Sequence, residues 1–225
     1  MYAMFEVVIL IVIPELTLDE YAFLFSCVSS EKQKRIMRFC DFQSAQNCLL
    51  GDILARTELC HATGLSNKQL EFATNPYGKP YLTNSSIYYN ISHASSYVAC
   101  VVADEPVGID IEFVKYVDVK IAERFFSPNE VAYILSVFGD MRIQRFFEVW
   151  TKKESRIKLE GKGLLKHLSD FNVLDGLNQS GIFYHSVYSD AKVMCHVCSS
   201  KKEAPNVRII DVNTLLHHFQ LCDKV

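Results

Sequence analysis

The first apolar run, Val7–Ile13, ends at Pro14-Glu15 and has the length of a buried strand. Thr17 and Glu20 stand three apart and predict a capping box that opens a helix. A short helix is predicted over Glu31–Phe39. Asp41 predicts the cap of a longer helix running to about Ala62, which Gly64 closes. Gly51 lies inside that helix, where glycine weakens it, so close packing is expected there. Short strands are predicted at Leu70–Ala73 and Ile87–Ser92, with the turn Asn75-Pro76-Tyr77-Gly78 between them. Two more, Tyr97–Ala103 and Val107–Glu112, flank the polar turn Asp104-Glu105-Pro106. The period then becomes helical over Val119–Phe126, Pro128–Val137 and Met141–Glu160. Strands return at Phe171–Leu174, Ile182–Tyr188, Lys192–Cys198 and Val207–Ile210, and a last helix covers Asn213–Phe219. Helices and strands come in blocks, which predicts an α+β fold over a doubly wound sheet.

No linker, charge block or repeat divides the 225 residues, of which 49 % are hydrophobic and 22 % charged. That composition excludes a disordered chain. A formal net charge of −3 argues against a globally basic nucleic-acid binder. Val7–Ile13 is far too short to span a bilayer and lacks the flanks of a signal peptide, so a cytoplasmic protein without a membrane partner is expected. The eight cysteines are scattered through apolar patterns and are expected to be reduced and buried. Cys195 and Cys198 fall on opposite faces of a predicted strand, which argues against a metal or redox pair.

Asp110 and Glu112 close a strand and share one face, roughly 7 Å apart. Two carboxylates so placed repel, and require either a cation between them or a wet face. On a helix, Trp150, Glu154 and Lys158 form one stripe. Taken alone this is a surface ion pair beside a tryptophan. Beside Asp110 and Glu112, Glu154 becomes a third carboxylate for a hard cation such as Mg²⁺, and Lys158 a charge for a leaving phosphate. Ser127-Pro128-Asn129-Glu130 is a capping box, which already accounts for Glu130 structurally. Lys32, Lys34, Arg35 and Arg38 form either a solvated basic face or an anion site. Lys79, in its tight turn, is a further phosphate-binding candidate. Ser92-His93 is no hydrolase pair, and Gly161-Lys162-Gly163 is no P-loop.

The ordered set Tyr77-Gly78-Lys79-Pro80, Asn90-Ile91-Ser92-His93, Val107-Gly108-Ile109-Asp110-Ile111-Glu112, Arg124-Phe125-Phe126-Ser127 with Glu130, Trp150-Thr151-Lys152-Lys153-Glu154-Ser155 with Lys158, and Glu160-Gly161-Lys162-Gly163-Leu164 resembles the 4′-phosphopantetheinyl transferases of the surfactin-synthetase-activating type. The resemblance spans nearly the whole chain. It implies a pseudo-dimer of two similar α+β halves with the active site in the cleft between them. The halves would be residues 1–104, on the coenzyme A 3′-phosphate side, and 105–225, on the metal and catalytic side. The implied reaction moves the phosphopantetheine arm of coenzyme A to a serine of an apo acyl or peptidyl carrier protein and releases adenosine 3′,5′-bisphosphate.

By the same resemblance, Asp110, Glu112 and Glu154 hold Mg²⁺, for which Mn²⁺ is an alternative. Lys158 steadies the pyrophosphate. The proton of the carrier serine goes to Glu154, the preferred base, or to a metal-bound water assisted by Glu130. Lys32, Arg35, Lys79, Ser92 and His93 match coenzyme A contacts, the last three bracketing the 3′-phosphate, which would favour an imidazolium at His93. Lys153 is expected to face the phosphates. Peptide-synthetase, polyketide-synthase and fatty-acid carriers all remain open, and a monomer is expected. Val114, Tyr116 and Val117 offer an apolar patch beside the metal strand for the carrier.

The chain departs from the family pattern at Ser44-Ala45-Gln46-Asn47-Cys48, where relatives carry Asp-Ala-x-Arg followed by Ser or Thr. Two other readings use the same residues: a Mg²⁺-dependent phosphatase or nuclease, and a non-catalytic module that binds coenzyme A or carriers.

Overall fold

The computed structural model describes residues 4–163, 167–174 and 181–223. The chain runs β1 (Phe5–Ile11), α1 (Leu18–Ser26), α2 (Ser30–Ile36), α3 (Phe42–Thr63), β2 (Phe72–Thr74), β3 (Pro80–Leu82), β4 (Tyr88–Ala94) and β5 (Tyr97–Ala103). It continues through β6 (Val107–Phe113), α4 (Ile121–Phe125), α5 (Pro128–Leu135), α6 (Asp140–Glu160), β7 (Phe183–Ser189), β8 (Val193–Ser199), β9 (Asn206–Asp211) and α7 (Val212–Asp223). The architecture is the expected mixed α+β. The local signals are realised: both atoms of the Thr17–Glu20 capping box are paired, Asp41 accepts from Ser44 N at the start of α3, and Gly64 ends α3 in the left-handed region.

One sheet has the order β4-β5-β1-β9, the other β6-β8-β7, and β2 with β3 forms a separate hairpin. The 22-residue α3 covers the first sheet and the 21-residue α6 the second. The sheets meet across an apolar layer that includes Val7, Ile9 and Val101 from the first and Ile109, Ile111 and Val197 from the second. Alternation along each strand supplies two opposite apolar or polar faces from one sequence. Ile109 and Ile111 therefore enter this layer while Asp110 and Glu112 face α6.

Two expectations need correction. The second half does not run unbroken to residue 225: β9 pairs parallel to β1, and Val212, Leu215 and Phe219 of α7 join the core beneath α3. Residues 206–223 thus return to the first half. Phe171–Leu174 is not a strand, because its backbone is used elsewhere: Val173 N donates to Glu130 Oε1, and Phe171 O accepts from Lys153. No disulfide joins the eight cysteines; six are buried as expected, but Cys27 is half-buried and Cys40 exposed, and Cys195 and Cys198 lie on opposite faces of β8. Among the described residues no helix is long and apolar enough to cross a membrane.

Candidate active site

The seam between the halves is made where the edge strands β4 and β6 run beside each other. They share no ladder, and polar side chains bridge them. Asn90 Oδ1 accepts from Ile109 N (2.9 Å), and Ser92 Oγ donates to Asp110 Oδ1 (3.0 Å). Asn90 and Ser92 share one face of β4, so both reach the second half. Tyr89 and Ile91, on the other face, pack into the core under α3. His93 lies on that same face, with Lys32, Arg35 and Lys158 acting on it by charge. The Ser92-His93 pair is thus divided by the strand.

Helix α6 crosses β6 in unusually close contact at Gly108, where an added Cβ would lie 2.1 Å from Ser155 O and 2.3 Å from Leu159 N. This approach brings the Glu154–Lys158 stripe over the carboxylates of β6. Lys158 Nζ donates to Asp110 Oδ1 (2.7 Å) and to Ser92 Oγ (2.8 Å). Trp150 Nε1 donates to Glu112 Oε1 (3.2 Å). Burial raises the Asp110 carboxyl against the pull of Lys158 and Ser92. Burial and then the charge of Asp110 raise both Glu112 and Glu154.

Among the described residues no three His, Cys, Asp or Glu side chains are arranged as a formed metal cage. The donors nevertheless fit a hard cation in their chemistry. All are carboxylate oxygens, they repel one another, and the buried Asp110 Oδ2 has no hydrogen-bond partner.

The remaining predicted residues divide. Lys32 is half-buried and pairs with Asp52 Oδ1 at 3.3 Å, while Arg35 is exposed. His93 reaches solvent, yet its packed surroundings and then Lys158, Lys32 and Arg35 hold its imidazole below the ordinary value. Positive charge is thus gathered around His93.

Three expectations fail on geometry. Lys79 Nζ does not point to an anion site; it donates to the carbonyls of Val107 (3.0 Å), Lys158 (2.6 Å) and Leu159 (3.2 Å). Lys153 faces no phosphate: it is fully buried, with its Nζ on Glu130 Oε2 (2.8 Å), Leu168 O and Phe171 O. Glu130, also fully buried, accepts from Ser127 and Lys153 on Oε2 and from Val173 N on Oε1. It has no free face from which to assist a water. Of the proposed docking patch, Val114 and Val117 pack against the core around Phe146, leaving Tyr116 exposed. Sequence reading missed Trp150 as the donor to Glu112, and Asn90 and Asn75 as bridges across the seam. It also missed Gly108, whose small size between two apolar positions was the available signal.

A family profile described as the 4′-phosphopantetheinyl transferase superfamily matches residues 106–212, and one described as 4′-phosphopantetheinyl transferase, N-terminal, matches residues 15–106. The 4′-phosphopantetheinyl transferase gsp of Aneurinibacillus migulanus is 33 % identical over 98 % of this chain and 94 % of its own length. The 4′-phosphopantetheinyl transferase Sfp of Bacillus subtilis is 37 % identical over 74 % of each chain, and psf-1 of Bacillus pumilus 41 % identical over 64 % of this chain and 62 % of its own. This chain belongs to the 4′-phosphopantetheinyl transferase superfamily. It is an enzyme of phosphopantetheinyl transfer that takes coenzyme A as substrate, and neither a hydrolase nor a non-catalytic module is favoured.

Proposed function

We propose that the seam is the transfer site, with coenzyme A held across it and the serine of an apo acyl or peptidyl carrier domain entering beside Glu154. The observation that carries this reading is the position of Lys158, bonded at once to Ser92 of the first half and Asp110 of the second. A cation fixed there sits between the basic cluster of Lys32, Arg35 and His93 and the three carboxylates. A pyrophosphate has complementary charge to both. Asp110, Glu112 and Glu154 would hold Mg²⁺, which supplies positive charge to the pyrophosphate oxygens when bound.

Glu154 would accept the serine proton from its place on the α6 stripe over the carboxylates of β6. The serine oxygen forms the new bond to the β-phosphorus of the pyrophosphate. The bond from that phosphorus to the bridging oxygen breaks, and Lys158 steadies the departing adenosine bisphosphate. Glu130 holds α5, α6 and the 167–174 segment together and takes no proton.

Intact mass of an apo carrier incubated with this protein, coenzyme A and Mg²⁺ tests the reading. A gain of one phosphopantetheine group is expected, lost with EDTA and in Asp110→Ala. No gain with peptide-synthetase, polyketide and fatty-acid carriers would sink it.

The electrostatics of His93 give a second expected result. Its imidazole is held low by burial and by three cations, whereas a phosphate dianion favours the imidazolium. Coenzyme A binding near pH 7 is therefore expected to take up a proton at His93. Calorimetric titrations in buffers of different ionisation enthalpy would show the uptake in the native protein and lose it in His93→Gln. Equal uptake in both would remove His93 from the phosphate site.

A further inference from the structure

The last turn of a helix leaves carbonyls without intrahelical partners and carries the negative end of the macrodipole. In α6 that turn contains Lys158, whose side chain lies at the centre of the proposed site. Gly161 closes the helix in the left-handed region, its N–H donating to Ile157 O. The orphan carbonyls beyond are satisfied from the opposite half of the molecule. Lys79 Nζ spends its three protons on Lys158 O, Leu159 O and Val107 O, the last at the start of β6. Asn75 Nδ2 donates to Gly161 O at 2.8 Å. Asn75 Oδ1 accepts from Tyr77 N and Lys79 N, and Asn75 O from Gly78 N, so one turn is folded rigidly behind both donors. The fit leaves no slack: a Cβ on Gly161 would lie 2.9 Å from Lys79 Cδ and 3.2 Å from Asn75 Nδ2.

We propose that Lys79 is a positioning residue for transfer: the Asn75–Lys79 turn of the first half clasps the end of α6 and the start of β6, and thereby sets Lys158 and Asp110 relative to each other. The inference rests on the assignment of Lys158 to the transfer site. It gives Lys79 a role different from phosphate binding, since no Nζ proton is left for an anion and release would orphan three carbonyls. Burial brings the ammonium pKa down to about 8, so the clasp is charged at neutral pH.

Lys79→Met keeps most of the stem and removes the donors. The clasp predicts a kcat lowered by about 10- to 100-fold, as expected when a reacting group is displaced by an ångström or less. It predicts a KM for coenzyme A within about twofold of native, since no ligand contact is lost. The same factor is expected with 3′-dephospho-coenzyme A as donor, and Lys79→Arg should restore part of kcat. Asn75→Asp keeps the acceptor that shapes the turn and removes the bond to Gly161 O; it should lower kcat less, again independently of the donor. Without any substrate, hydrogen exchange in a peptide spanning residues 155–163 should quicken in both variants.

A loss confined to coenzyme A, with 3′-dephospho-coenzyme A unaffected, would make Lys79 a phosphate ligand and overturn the clasp. Native kcat or native exchange in Lys79→Met would also overturn it. If Lys79→Met does not fold, Asn75→Asp decides by the same readings. A native protein that transfers nothing would fail the transfer assignment instead, while the exchange measurement would still report on the clasp.

Discussion

Replacing Gly108 by alanine is expected to abolish transfer and to cost the fold more than any other single methyl group added at the site. The new Cβ would lie 2.1 Å from Ser155 O and 2.3 Å from Leu159 N, contacts that real Cβ atoms do not make. Both neighbours are backbone of α6, so no rotamer change relieves them. The helix must rise from β6 or the strand must bend. Overpacking of a tight core commonly costs about 1–3 kcal/mol, and a clash with backbone belongs at or beyond the upper end. The functional loss should exceed the loss of stability. Lys158, Glu154 and Trp150 all ride on α6, and the bonds of Lys158 to Asp110 and Ser92 and of Trp150 to Glu112 depend on its height above β6. Thermal melting and intact-mass transfer assays on Gly108→Ala, with Gly108→Ser as a second size step, check this. A folded Gly108→Ala with native turnover would show that the close approach of α6 is not what sets the site.

What could be read from sequence followed the range of the interaction. Capping boxes, the stop at Gly64 and strand alternation act within a few residues, and Thr17–Glu20, Ser127–Glu130 and the shared face of Asp110 and Glu112 all came out of spacing. The stripe Trp150, Glu154, Lys158 was equally legible. The parallel pairing of β9 with β1 joins residues some 200 positions apart in sequence, and no local pattern encodes it.

Lys153 shows a different failure. The family resemblance implied a phosphate contact, yet Phe146, Val149 and Ile157 stand at helical spacing around it and all are buried. The pattern already placed Lys153 on the core face of α6, about 100° away from Glu154. An ammonium in the core needs a buried acid, and Glu130 supplies it from α5. Lys79 escaped for the opposite reason. Its turn was read correctly, but what it touches is a helix end some 80 residues later. At Ser44–Cys48 the departure from the family pattern is absorbed locally: Gln46 Oε1 accepts from Leu16 N, and Asn47 Nδ2 donates to Ser95 O in the turn after His93. Asn47 thus braces the β4–β5 hairpin from which His93 projects.

Neutralising Glu154 should separate stability from activity. In the metal-free protein burial raises its carboxyl, then the charges of Asp110 and Glu112 raise it further against the pull of Lys158. A carboxyl raised in the folded state holds its proton longer there than in the unfolded chain. Its contribution is therefore favourable at low pH and is lost as pH rises through the raised value. Glu154→Gln carries no such titration. The melting temperature of the variant minus that of the native protein should be near its smallest at about pH 4 and grow toward pH 8. On the proposed assignment Mg²⁺ would reverse the order, because the cation would relieve the native repulsion and Glu154→Gln would lack one of its ligands. Transfer should fall by about a thousandfold, the several kcal/mol that charge stabilisation by a bound metal supplies. Glu112→Gln should follow the same pH trend, since burial and then Asp110 also raise that group, with the bond from Trp150 as an added constraint. Melting curves from pH 4 to 8, with EDTA and with Mg²⁺, test the two variants together. If Glu154→Gln were the less stable protein at every pH without metal, the three carboxylates would not be the strained, cation-seeking group that their burial and mutual repulsion make them.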